Sequence, residues 1–165
     1  MNARVTPVRR PRQRGAVAIE AALIMAFVML PVMAFVLFLG RYFWYYSVAQ
    51  KAAHDATLYM ASAPLVEIKN NSAANLARYI TEQETGDLDA ATVETMGVVI
   101  NCGYRIPANS SVITPFSCNY NSTPAIIQIG ITLTVADPFF SAVTGTLGVG
   151  GLNIAAGATM RYVGR

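Results

Sequence analysis

Charged residues are scarce in this chain, and so are the side chains on which most enzymes depend. Asp, Glu, Lys and Arg make up 13% of the 165 residues, whereas an average soluble domain carries about 25%. With one histidine and two cysteines, a zinc site would need carboxylates at unpatterned spacing. No serine lies in a G-x-S-x-G motif, which marks one class of hydrolase nucleophile. We therefore expect no metal, no cofactor and no enzymatic activity, and the composition favours a membrane segment.

The basic residues are distributed unevenly along the chain. Five of the twelve Lys and Arg residues lie in the first 14 positions, where there is no acid. From Ala16 onward, seven basic and nine acidic residues give a net charge of −2. This faintly acidic body argues against nucleic acid as a partner. We interpret the basic end as a signal for membrane topology.

A long apolar segment follows the basic end. Residues 21–40 contain no charge, and about 20 apolar residues are enough for a helix to cross a bilayer core. Arginines precede this segment, whereas only Arg41 and Lys51 follow it closely. The positive-inside rule then predicts a cytoplasmic N-terminus and an outer location for everything after Gly40. Pro31, in the middle, predicts a kink because it removes one backbone hydrogen bond.

Five consecutive aromatic residues, Tyr42 to Tyr46, come directly after the apolar segment. Such a group is typical of the aromatic belt at a membrane–water boundary; an aromatic core cluster is the alternative. Small and apolar residues then recur at helical spacing as far as Pro64: Ala49, Ala52, Ala53, Ala56, Tyr59, Met60 and Ala63. We predict one nearly continuous helix over residues 16–63, whose outer part offers a small-residue face to a sheet or another helix.

The remainder of the chain predicts a small α+β domain. A second helix is expected over residues 72–85, with Leu76, Tyr79 and Ile80 as its apolar stripe. The period then changes to two, and this predicts an antiparallel meander with the long helix packed on it. Its three strands cover residues 98–104, 125–136 and 152–162, and residues 106–124 between them are expected to form a long loop.

The two cysteines, Cys102 and Cys118, lie in this second part of the chain. An even number of cysteines in a domain outside the membrane favours a disulfide. Such a bridge would stabilise the fold by about 3 kcal/mol in the chain-entropy model. Two buried free thiols are the alternative.

The start of the apolar segment combines two unusual features. A secretory signal is cleaved after its apolar core, but here the small residue Gly15 comes before the core. Glu20 then places a carboxylate inside the apolar segment, which costs about 3 kcal/mol at the centre of a membrane helix and less near its end. Cleavage after Gly15 would give Ala16 a free amine, with which Glu20 of a neighbouring subunit can pair. A glutamate that reaches toward the cytoplasm is the alternative.

This arrangement resembles type IV pilin-like precursors, in which a prepilin peptidase cuts after glycine and leaves glutamate as the fifth residue. Residues 12–63 and 125–162 are similar to the TadE-like family. The motifs are Arg14-Gly-Ala-Val-Ala-Ile-Glu20, Leu30-Pro31, Gly40-Arg41 with the aromatics, Ala-rich 49–63, strand 129–135, Asp137-Pro138-Phe139 and 155–162. The family often has Phe after the glutamate, where this chain has Ala21. The sequence therefore does not decide whether the chain resembles TadE, TadF or a relative of these.

The resemblance implies a pilin-like fold and a minor pseudopilin of the Tad/Flp tight-adherence pilus. Its parts would be a leader (1–15), a long helix (16–63, spanning the membrane at about 21–40) and an exported domain (64–165). The protein would cross the bacterial inner membrane once, with its N-terminus in the cytoplasm and its C-terminal domain in the periplasm. It could then be incorporated into an extracellular pilus. Its partners would be prepilin peptidase, other pilins or pseudopilins and the inner-membrane assembly platform, and its role pilus assembly and surface adhesion. The alternative function is an uncleaved, signal-anchored binding module outside the cytoplasm, with residues 106–124 recognising a ligand.

Overall fold

The computed structural model describes residues 14–88, 93–105, 111–119, 122–135 and 152–164. The chain divides into two compact units, Met1–Arg41 and Tyr42–Arg165. The predicted basic leader lies almost entirely outside the described residues. The elements are α1 (Arg14–Ser62), α2 (Leu65–Lys69), α3 (Ser72–Thr85), β1 (Val93–Arg105), β2 (Ile113–Phe116), β3 (Ile126–Val135) and β4 (Leu152–Arg161). A long apolar N-terminal helix, short further helices and a small antiparallel sheet confirm the predicted α+β fold class.

In the first unit, α1 is an apolar helix with exposed side chains. Its large apolar side chains from Val17 to Leu37 are 50–78% exposed. An 18-residue window of this helix has a mean hydropathy of 2.8, so α1 is long and apolar enough to cross a membrane by length and composition. Pro31 lies inside the helix, and the kink expected there stays a prediction.

In the second unit, the outer part of α1 packs on the sheet through its small-residue face. Ala49, Ala52, Ala53 and Ala56 are fully buried and share two apolar clusters with strand residues of the sheet. Thr57, also fully buried, donates its hydroxyl hydrogen bond to the Ala53 carbonyl 2.5 Å away. The predicted face is therefore confirmed, and its partner is the sheet.

The sheet has four antiparallel strands in the order β2-β1-β3-β4. The three long strands form the predicted meander, and β3 alternates buried and more exposed residues as expected from its sequence. The region predicted as a long loop, 106–124, contains β2, so that prediction is wrong for Ile113–Phe116. Proline breaks strand patterns because it cannot donate to a ladder, and edge strands tolerate it best. Pro115 lies in such an edge strand, which pairs with β1 alone.

Helix α3 has the predicted bounds, Ser72–Thr85, but its predicted apolar stripe is wrong for Leu76 and Tyr79. Leu76 and Tyr79 are 43% and 56% exposed, whereas the half-buried Ile80 packs against the apolar core as predicted. The buried positions hold small side chains instead: Ala73, Ala77, Thr81 and Thr85. Their size lets the helix approach its neighbours closely, and the two threonine hydroxyls remain satisfied by donating to helix carbonyls.

The C-terminal segment after β4 fastens onto the end of α1. The backbone N–H groups of Val163 and Gly164 donate to the Ala61 carbonyl at 2.9 and 3.0 Å. The buried Tyr162 hydroxyl donates to the Ala63 carbonyl at 2.9 Å, and burial raises the pKa of Tyr162. A Cβ on Gly164 would lie 2.2 Å from the Ala63 carbonyl oxygen, so only glycine fits there. This C-terminal clasp supplies donors to carbonyls that a helix end leaves without helical partners.

Substituting Ala56→Leu should destabilise the second unit, because the buried alanine face has no room for three more carbon atoms. We expect a loss of about 1–3 kcal/mol in the free energy of unfolding, measured by chemical denaturation of the detergent-solubilised chain. The matched control His54→Leu changes an exposed position of the same helix and should stay within about 0.5 kcal/mol of the parent. Equal losses in both variants would contradict the packing role of the alanine face.

Candidate membrane and subunit-contact site

Glu20 is an exposed acidic residue on an apolar stretch of α1. Its neighbours one helical turn away are Val17, Leu23 and Ile24, which are 65%, 55% and 60% exposed, since residues three and four apart share a helix face. The carboxylate therefore stands among apolar side chains that the chain itself does not cover. Such a surface is unfavourable in water and invites lipid or another helix.

Gly15 and Ala16 belong to the first turn of α1, which begins at Arg14. Their side chains lie outside the described part of the structure, so cleavage between them stays a prediction. Ala16 precedes Glu20 by four residues, and this spacing puts the two positions on one face of a helix. An amine created at Ala16 would thus lie on the same face of the helix as Glu20, about one turn closer to its N-terminus.

The five aromatic residues after the apolar segment do not act as one group. Tyr45 is 2% exposed and belongs to the apolar core, against which the half-buried Tyr42 also packs. Phe43, Trp44 and Tyr46 are 62%, 51% and 40% exposed. The prediction of a single aromatic belt is therefore wrong for Tyr45, which is a core residue of the second unit.

Cys102 and Cys118 form a disulfide across the β1–β2 pair, with Cα atoms 4.9 Å apart. Cys102 lies on β1 and is fully buried, and Cys118 follows β2 and is 5% exposed. The buried Tyr104 hydroxyl donates to the Cys118 carbonyl at 3.1 Å. Together these contacts hold the short edge strand β2 against β1.

A charged group on the outer surface joins α1 to α3. Lys51 bridges to Glu84 and also lies 3.7 Å from Asp55. The hydrogen bond from Lys51 to Glu84 raises the pKa of the lysine, although desolvation opposes this shift. The neighbouring His54 is exposed, with its Nδ1 atom 3.3 Å from Asp55. No three potential ligands cluster for a metal ion within the residues that the structure describes.

The face of the sheet turned away from α1 carries a shallow groove of about 200 Å³. Its lining residues are Asn101, Gly103, Ile113, Pro115, Ile126 and Gln128. A Cβ on Gly103 would lie 2.5 Å from side-chain atoms of both Ile113 and Ile126. Glycine at this position therefore lets the two isoleucines meet over β1. The edge strand β2, missed in the sequence because of its proline, forms one wall of this groove.

These features define a class of protein: an α+β chain whose long N-terminal helix is compatible with a single-pass membrane anchor. Within that class, residues 15–58 match the family model described as TadE-like protein, which confirms the resemblance predicted from the sequence. The match covers Gly15, Ala16, Glu20 and Pro31. The predicted similarity of residues 125–162 lies outside the match and stays a prediction. No curated protein and no solved structure matches the chain.

The Cys102–Cys118 bridge should contribute measurably to stability. Replacing both cysteines by alanine is expected to lower the free energy of unfolding by about 3 kcal/mol, as followed by chemical denaturation of the purified chain. The parent protein treated with a reductant serves as the control, because it loses the bridge without losing side-chain volume, and it should fall by a similar amount. A non-reducing peptide map that shows two free thiols would contradict the pairing.

Proposed function

We propose that this protein is a minor pseudopilin of a Tad/Flp-type pilus, a structural component rather than an enzyme. The observation that carries the proposal is the position of the TadE-like match. It covers the segment in which an exposed carboxylate, Glu20, stands on an uncovered apolar helix. A soluble domain would gain nothing from such a surface, whereas a subunit that passes from a bilayer into a helix bundle needs one.

The apolar part of α1 would hold the subunit in the membrane before it is assembled into the pilus. In this proposal residues 21–40 cross the inner membrane, the N-terminus is cytoplasmic and the domain formed by residues 64–165 is periplasmic. The apolar side chains from Val17 to Leu37, at least half exposed, would be covered by lipid before assembly. Helices of neighbouring subunits would cover them afterwards, so that no apolar surface has to face water at any stage.

Prepilin peptidase would cleave between Gly15 and Ala16, and the new amine would give Glu20 a partner. A carboxylate one turn from a helix N-terminus is favoured by the helix dipole. In an apolar bundle, an ammonium and a carboxylate attract each other more strongly than in water, although desolvation offsets much of the gain. Pairing between Glu20 of one subunit and Ala16 of the next would therefore fix the axial register of two helices.

The proposed partners follow from these steps. They are prepilin peptidase, other pilins or pseudopilins, the inner-membrane assembly platform and the membrane itself. The domain outside the membrane would contribute to pilus assembly and surface adhesion, since only this part is accessible to other cells and surfaces while the helix lies in the membrane.

A second candidate function is an uncleaved, signal-anchored binding module. The observation that favours it is the groove on the open face of the sheet, where the amide side chains of Asn101 and Gln128 stand beside apolar Ile113 and Ile126. β2, within residues 106–124, contributes to this groove. The two functions differ at the N-terminus of the mature chain, because an uncleaved anchor keeps residues 1–15.

Mass spectrometry of the protein purified from its native membrane should find Ala16 as the first residue. Substituting Gly15→Leu should block cleavage and leave the precursor, because a bulky side chain replaces the small one at the scissile position. Val17→Leu, two residues away, is the matched control and should still be processed. An intact N-terminus in the parent chain, from cells that contain the peptidase, would refute the pseudopilin proposal and favour the binding module.

Substituting Glu20→Gln should leave membrane insertion intact, because an amide costs less than a carboxylate in hydrocarbon. It should nevertheless reduce co-isolation with pilus partners about tenfold or more, since breaking a buried ion pair leaves one charge unpaired. Glu20→Asp, which keeps the charge, should retain part of the recovery. Parental recovery and pilus number for Glu20→Gln, at equal membrane abundance, would disprove the pairing role and leave a glutamate that simply reaches toward the cytoplasm.

A further inference from the structure

The turn of α1 from Tyr42 to Tyr46 has two chemically different sides. With about 100° per residue, Phe43 lies about 160° around the helix from Tyr45, and Trp44 and Tyr46 lie about 100° to either side. The exposed fractions follow this geometry, because Tyr45 is 2% exposed and the other three are 40–62% exposed. Tyr45 is in the apolar core with Leu133 and Ile154.

The exposed side of α1 changes its chemistry in a fixed order along the helix. From Ala21 to Leu37, which is 67% exposed, the uncovered side chains are purely apolar. The exposed Arg41 comes next and is followed by Phe43, Trp44 and Tyr46, the last two of which combine an apolar ring with a polar N–H or O–H group. Polar side chains come next, with Lys51 and His54 exposed to 62% and 56%. This is the order of hydrocarbon, headgroup layer and water that a helix meets as it leaves a bilayer.

We propose that Phe43, Trp44 and Tyr46 form a lipid-contact surface at the depth of the headgroups. The inference rests on the proposed membrane anchoring, and it adds where the folded domain begins. Because Tyr45 belongs both to this turn and to the domain core, the packing of α1 on the sheet starts inside the headgroup layer. The occupant of the exposed arc is lipid rather than a second protein, since the apolar, amphipathic and polar zones follow one another along the helix axis.

Trp44 is the only tryptophan of the chain and reports on this surface directly. The full chain is reconstituted into vesicles of phosphatidylethanolamine and phosphatidylglycerol that carry bromine atoms near the headgroup or near the tail end. We expect Trp44 emission at shorter wavelength than that of the unfolded chain in water. Quenching should be strongest with the shallow bromines, weaker with the deep ones, and independent of the protein-to-lipid ratio.

The matched control moves the tryptophan along the same helix. In the double variant Trp44→Phe, Leu58→Trp, the reporter lies 14 positions further on at a site 54% exposed in the parent, or about 21 Å along the axis. Its emission should resemble that of exposed tryptophan and should not be quenched by either brominated lipid. Equal quenching at positions 44 and 58 would overturn the proposal, because it would place the whole outer part of α1 in lipid.

Two further outcomes separate this inference from the membrane anchor on which it rests. A chain that resists alkaline extraction from the vesicles, but whose Trp44 is not quenched, would overturn the lipid surface and keep the anchor. A chain that alkali releases, but whose Trp44 is quenched by shallow bromines, would keep the lipid surface and remove the anchor. Short-wavelength emission that grows with the protein-to-lipid ratio, without bromine quenching, would assign the arc to a second copy of the chain and overturn the proposal.

Discussion

The packing of the alanine face of α1 on the sheet is the contact on which the second unit depends. Ala49, Ala52, Ala53 and Ala56 present only methyl groups, and all four are fully buried. Opposite them, the branched side chains of β3 fill the space that small residues leave, as close-packed interiors require. The alternation of β3 supplies this layer of buried side chains.

One helix thus meets two kinds of surroundings. In its outer part, the 3.6-residue period separates a buried alanine side from exposed Lys51 and His54. In its inner part there is no such separation, because the side chains are apolar all round, as in helices that are buried or cross a membrane. The carboxylate of Glu20 is the exception in that inner part, and a lone charge among apolar side chains demands a partner or an exit to water.

The sequence predicted best where one residue type dominates a regular period. The alternation of isoleucine with polar residues specified β3, and the repeated alanines specified the packing face of α1. The stripe of α3 was misjudged because apolar size was taken as the sign of burial, whereas close helix packing selected Ala73, Ala77 and Thr81. β2 was missed because Pro115 breaks a strand pattern, and only its pairing with β1 makes an edge strand of it.

The candidate site divides in the same way. Gly15, Glu20 and the apolar segment are local signals, and a local reading found them together with the family resemblance. The separate roles of Tyr45 and Trp44 could not be predicted from the sequence. Adjacent aromatic residues have the same sequence signal, and only packing against the sheet buries one of them. The ion pair between Lys51 and Glu84 and the clasp on Ala61 depend on tertiary geometry alone.

The clasp has a consequence for biosynthesis, since Tyr162 and Ala63 are 99 residues apart. At about 5–20 residues per second, their synthesis is separated by about 5–20 s. During that interval α1 is complete while its capping donors and β4 do not yet exist. In the proposed membrane setting, insertion of the helix would therefore precede folding of the domain, and the nascent chain would be anchored but not yet folded until its last strand is made.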